Sequence, residues 1–71
     1  MEKTTFHLVQ YTKIFDPAAH TKIVVSNDFD AWKEQMERNG RLFVYVEKID
    51  MKKAKETQYR AEIIIAYMAE D

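Results

Sequence analysis

Polar and apolar positions alternate along residues 59–68, YRAEIIIAYM, for only the first half of the segment. Read as a strand, it puts Tyr59, Ala61, Ile63, Ile65 and Tyr67 on one face. The other face carries Arg60 and Glu62, then Ile64, Ala66 and Met68. A strand that ends apolar on both sides needs cover on both sides. Residues 4–15, TTFHLVQYTKIF, have the same character, with Phe6, Leu8 and Ile14 on one face and His7, Val9, Tyr11 and Phe15 on the other. Asp16-Pro17 suits the first two positions of a type I turn, because proline presets φ there, although a single helical turn would also fit DPAAH. Residues 20–26, HTKIVVS, are β-branched and predict a second strand, antiparallel to the first across so short a connection.

The period then changes. Phe29, Trp32 and Met36 recur at helical spacing behind Ser26, Asn27 and Asp28, all good N-cap residues. Asn39-Gly40 is a stop, since glycine tolerates the left-handed conformation. The pattern predicts a helix over 28–39, with Glu34–Arg38 and Lys33–Glu37 as i, i+4 pairs. Residues 41–50, RLFVYVEKID, read as a strand, with Leu42, Val44 and Val46 opposite Phe43, Tyr45 and Ile49. MKKAKET lacks glycine, so it predicts a long hairpin end rather than a tight turn. The expectation is an α+β chain of order ββαββ, one domain over 1–71, with a four-stranded, mainly antiparallel sheet and one helix on one face. A three-turn helix shields one face only, so a second copy or another protein is expected to cover the other face or to extend the sheet at an edge. A homodimer or larger homo-oligomer is the leading expectation, and a strongly coiled sheet that folds over itself is the alternative.

Composition sharpens this expectation. The chain is 46% hydrophobic and 32% charged, as folded proteins are, and has no cysteine. Disulfide stapling is therefore excluded. For a chain this small, apolar burial and the entropy of ordering nearly cancel, which favours a partner. No apolar run approaches signal-peptide or membrane-span length, so the reading is a cytoplasmic protein that does not engage a membrane. His7 and His20 are the only histidines and have no metal-ligand spacing, and a single glycine excludes a phosphate loop. The lone serine, Ser26, is read as a helix cap. Neither catalysis nor a cofactor is expected.

Charge is segregated along the chain although the net is −1. Lys48, Lys52, Lys53, Lys55 and Arg60 outnumber Asp50 and Glu56 over 48–60, while 27–47 and 61–71 are acidic. Asp30, Glu34 and Glu37 fall on one helix face, opposite the apolar stripe, at axial steps of roughly 6 and 4.5 Å. That spacing is comparable to that of backbone phosphates. Asp28, Glu70 and Asp71 could extend the track. Such a surface would occupy the cleft of a basic DNA-binding protein in place of DNA. The alternative is direct nucleic-acid binding by Lys48, Lys52, Lys53, Lys55 and Arg60 on the basic hairpin, with Tyr45 and Tyr59 available to stack on bases. The sequence pI near 6.1 is low for such a domain.

Two resemblances follow. LFVYVEKID together with YRAEIIIAYM resembles the paired strands of the dodecins, which implies flavin binding by an oligomer. Dodecins have one strand before a longer helix and a flavin-stacking tryptophan on a strand, whereas Trp32 is placed on the helix here. In size and style the cysteine-free, charge-rich chain resembles small bacteriophage proteins that disable host machinery. Among these are DNA mimics that inhibit basic DNA-binding proteins of the HU type, which implies action inside a bacterial host cell.

Overall fold

The computed structural model describes residues 4–67. Six elements follow in order: β1 (Thr5–Lys13), β2 (Asp16–Ser26), α1 (Phe29–Arg38), β3 (Arg41–Ile49), α2 (Met51–Thr57) and β4 (Glu62–Ile65). The strands form one mixed sheet in the order β3-β1-β2-β4. The fold is α+β with a four-stranded sheet, as the pattern predicts, but it has two short helices rather than one.

β1 pairs antiparallel with both β2 and β3, whereas β2 and β4 are parallel. Consequently β2, β3 and β4 all run one way, and each link between them is a crossover. The link β2-α1-β3 steps across β1, and the link β3-α2-β4 steps back across β1 and β2. Crossovers of the usual right hand that step in opposite directions place their helices on opposite faces. The packing agrees. α1 buries Phe29 and Trp32 with Val9 and Val24, helped by Tyr11, Met36 and Phe43. α2 and the turn after it bury Ala54 and Ala61 with Ile23 and Ile49, helped by Phe6 and Leu8. Alternate residues of β1 thus belong to different cores, as strand geometry demands.

Several expectations are corrected. MKKAKET is not a hairpin end: Asp50 caps it, accepting from the Lys53 N–H at 2.7 Å, and Met, Lys, Ala and Glu are good helix formers. The last strand therefore does not return beside β3. It is limited to Glu62–Ile65, with Tyr59, Arg60 and Ala61 spent on the turn out of α2. DPAAH is not the first turn. That turn is Ile14-Phe15, and Asp16 already pairs with Lys13. Pro17 is tolerated because the ladder is irregular there, and the Ala18 N–H turns to Asp16 Oδ1 at 3.0 Å. The first helix begins and ends as expected, with Asp28 as N-cap, Asn39 as C-cap and Gly40 at φ +87°. Ser26 is not the cap. Fully buried, its hydroxyl donates to the Ala66 carbonyl at 2.7 Å and accepts from the Asp28 N–H at 3.1 Å, tying the end of β4 to the start of α1.

Candidate functional site

The two sheet faces are covered unequally. On the α1 face, aromatic side chains interlock: Trp32 meets Phe43 edge-on with centroids 5.6 Å apart, and Phe29 lies over His7 at 3.8 Å, nearly parallel. On the α2 face, a seven-residue helix offers only Ala54 and Thr57 as buried side chains. It shields one patch and leaves the rest of that face open. Ile63, Ile65, Leu42 and Tyr45, which the strand registers place on this face, are 44, 71, 58 and 46% exposed.

A groove of about 390 Å³ on this side has walls that include Leu8, Gln10, Thr21, Tyr45, Glu47 and Lys53. A neighbouring one of about 320 Å³ lies between Leu8, Thr21, Thr57 and Arg60. The Tyr45 hydroxyl donates to Glu47 Oε1 at 2.8 Å, which raises its pKa, since ionisation would break that bond and place two anions together. No single-residue signal in the sequence marks these grooves, because they exist only once α2 crosses the sheet.

The acidic candidates behave differently from one another. Asp30, Glu34 and Glu37 are all exposed on α1. Glu34 is paired with Arg38, and Glu37 with Lys33 at 3.4 Å, so both expected i, i+4 pairs form. Asp28 spends one carboxylate oxygen on the Ala31 N–H at 3.1 Å. Asp30 lies with His7, Phe29 and Lys48 around a shallow cleft. Glu70 and Asp71 lie outside the described residues.

The basic candidates do not form one hairpin surface. Lys48 pairs with His7 across the strands and so belongs to the α1 side. Lys52, Lys53 and Lys55 ride on α2, with Arg60 in the turn that follows, and all four are exposed. Among the described residues none of these five cations joins an ion pair, whereas Lys22 binds Glu62 at 2.9 Å. That last pair holds the Glu62 pKa down and the Lys22 pKa up.

Trp32, the residue a dodecin-like flavin site would need to present, is buried under α1 instead. Among the described residues no cluster of three His, Cys, Asp or Glu side chains is placed to hold a metal ion. No described helix is long and apolar enough to cross a membrane. No protein-family model, curated protein or solved structure matches this chain.

Proposed function

We propose that this chain is a non-enzymatic interaction module that works as a homo-oligomer. The observation that carries this is the half-covered α2 face, where the β4 residues Ile63 and Ile65 are 44 and 71% exposed. Apolar surface of this kind is characteristic of an interface. Sedimentation equilibrium over a hundredfold concentration range tests it. The expected result is a mass at least double 8.5 kDa at high concentration, and a persistent monomer would refute it.

For the partner, ion pairing orders two readings. Lys52, Lys53, Lys55 and Arg60 are exposed and, among the described residues, join no ion pair, which favours an anionic polymer such as nucleic acid docking along α2. The second reading is the acidic α1 surface as a DNA mimic that inhibits a basic DNA-binding protein. Asp30, Glu34 and Glu37 do share the exposed side of α1, but two of the three carboxylates are already neutralised by Arg38 and Lys33. A gel-shift titration separates the two. Salt-sensitive binding of labelled DNA, lost in a Lys52→Glu/Lys55→Glu variant, supports the first. Release of DNA from a basic DNA-binding protein, lost on charge reversal of Asp30 and Glu34, supports the second.

A further inference from the structure

We propose that two copies of the chain join through β4, edge to edge and antiparallel about a two-fold axis at Ile64, to make one eight-stranded sheet. This rests on the self-association reading above and names the surface that performs it.

The backbone supplies the first observation. In a parallel ladder, one set of alternate residues turns both N–H and C=O toward the neighbour, and the other set turns both away. The Ala66 N–H donates to the Val25 carbonyl at 2.8 Å, and its own carbonyl accepts from Ser26. Residues of that parity, Glu62 and Ile64 among them, therefore face β2. Ile63 and Ile65 direct their N–H and C=O groups outward. Among the described residues no strand pairs with them.

The second observation is the lack of edge protection. Sheet edges are normally guarded by lysine, proline, a bulge or an inward charge. The opposite edge, β3, has such guards: Arg41, Glu47 and Lys48 lie along it, and its register slips at the Gln10/Tyr11 step, leaving Val44 as the extra residue. β4 is glutamate followed by three isoleucines, with an unbroken register. Its single charge, Glu62, is exposed but paired with Lys22 of the neighbouring strand β2 rather than left free along the edge.

Symmetry then selects the register. With Ile64 opposite its own copy, Ile63 of each chain faces Ile65 of the other. Both outward-facing residues exchange hydrogen bonds within the strand, and four isoleucine side chains gather on the α2 face. Glu62 faces the small Ala66 of the second copy, so no like charges are opposed. Shifting by one pairing step in either direction leaves only one of the two isoleucines paired within β4.

The test uses the absence of cysteine from the chain. At the axis, two Ile64 residues would form a non-hydrogen-bonded pair with Cα atoms roughly 4.5 Å apart, within disulfide range. Ile64→Cys should oxidise to a covalent dimer. Ile63→Cys and Ile65→Cys, each offset from its own copy, should do so at least tenfold more slowly. In parallel, Ile65→Pro removes an outward N–H without breaking an internal bond, and should weaken dimerisation at least tenfold while the chain stays folded. A wild-type dimer that does not cross-link through Ile64→Cys, or that survives Ile65→Pro, overturns the β4 edge but leaves self-association standing. A monomeric wild type removes both.

Discussion

α1 and α2 do the same topological job, each carrying the chain across the sheet between parallel strands, yet they cover their faces by different means. α1 runs ten residues and presents Phe29, Trp32 and Met36. α2 runs seven and presents Ala54 and Thr57. Large side chains let α1 stand off from the sheet and still fill the space beneath. Small ones require α2 to lie close, so it shields only what is directly under it. The difference leaves the α1 face filled by large side chains and part of the α2 face exposed.

Removing the largest member of the α1 core should break this division most severely. Trp32→Ala should cost about 3–5 kcal/mol, the usual range for a buried tryptophan. In a 71-residue chain that is a large part of the total stability. Urea denaturation followed by tyrosine fluorescence would show loss of a cooperative transition or a large fall in its midpoint. A loss under 1 kcal/mol would mean that the α1 core is not the main source of stability.

The α2 side should respond to added bulk rather than to removal. Ala54→Leu keeps helix propensity but forces a larger side chain against Ile49, Ile23 and Ala61, at a cost of about 1–3 kcal/mol. If α2 were loosely docked, the leucine would be neutral or stabilising. Capping is the finer probe. Asp50→Ala and Asp28→Ala each remove a side chain that accepts from the third residue of its helix, for about 1 kcal/mol. Global loss should be similar, but the local result should differ. A helix of barely two turns has little to hold it once uncapped. Amide exchange in 51–57 should accelerate in Asp50→Ala, and 29–38 should stay protected in Asp28→Ala. Equal exchange in both helices would erase the contrast.

The same contrast explains what the chain's pattern reveals. Phe29, Trp32 and Met36 announce α1 because large apolar residues at helical spacing are unambiguous, and Asp28 and Gly40 mark its ends. Ala54, Thr57 and Ala61 have helical spacing too, but they are small, and Lys52, Lys53, Lys55 and Glu56 outweigh them. An Asp50 cap before a run of good helix formers was the available signal. Missing α2 carries the rest with it: a charged hairpin returns β4 to β3, whereas a crossover helix sends it to the far edge beside β2. The two-sided apolar character of β1 and β4 was legible. That a second helix inside the same chain supplies part of the cover was not. Charge positions were legible on α1, including both ion pairs, while the basic residues separate because Lys48 alternates with Glu47 and Ile49 on β3 and so points to the α1 side opposite His7, whereas the others ride on α2 and the turn after it.

The smallest effect expected is a pH dependence confined to the α1 side. His7 is stacked on Phe29, with Thr5 Oγ1 3.4 Å from its Nδ1. Burial lowers its pKa first and repulsion by Lys48 adds to this, while Asp30 pulls the other way. A base whose pKa is lower folded than unfolded binds fewer protons in the native state. Its neutral form therefore stabilises the fold fully above the unfolded value near 6.5, and that contribution is lost as the pH falls through 6.5 toward the folded pKa. Asp16 and Glu62, whose pKa values are also lowered, contribute above their unfolded values near 4 and lose that only at lower pH, so the interval from about 6.5 to 5 isolates the histidine. Urea midpoints at pH 7.5, 6.5 and 5.5 should decline for the wild type and stay level for His7→Phe. The neighbours give the prediction its sign. Lys48→Met should flatten the decline, because one of the forces opposing protonation is gone. Asp30→Asn should steepen it, because the attraction that favoured protonation has been removed. If both substitutions moved the slope in the same direction, the decline would belong to some other group, and the His7–Phe29 stack would be packing alone.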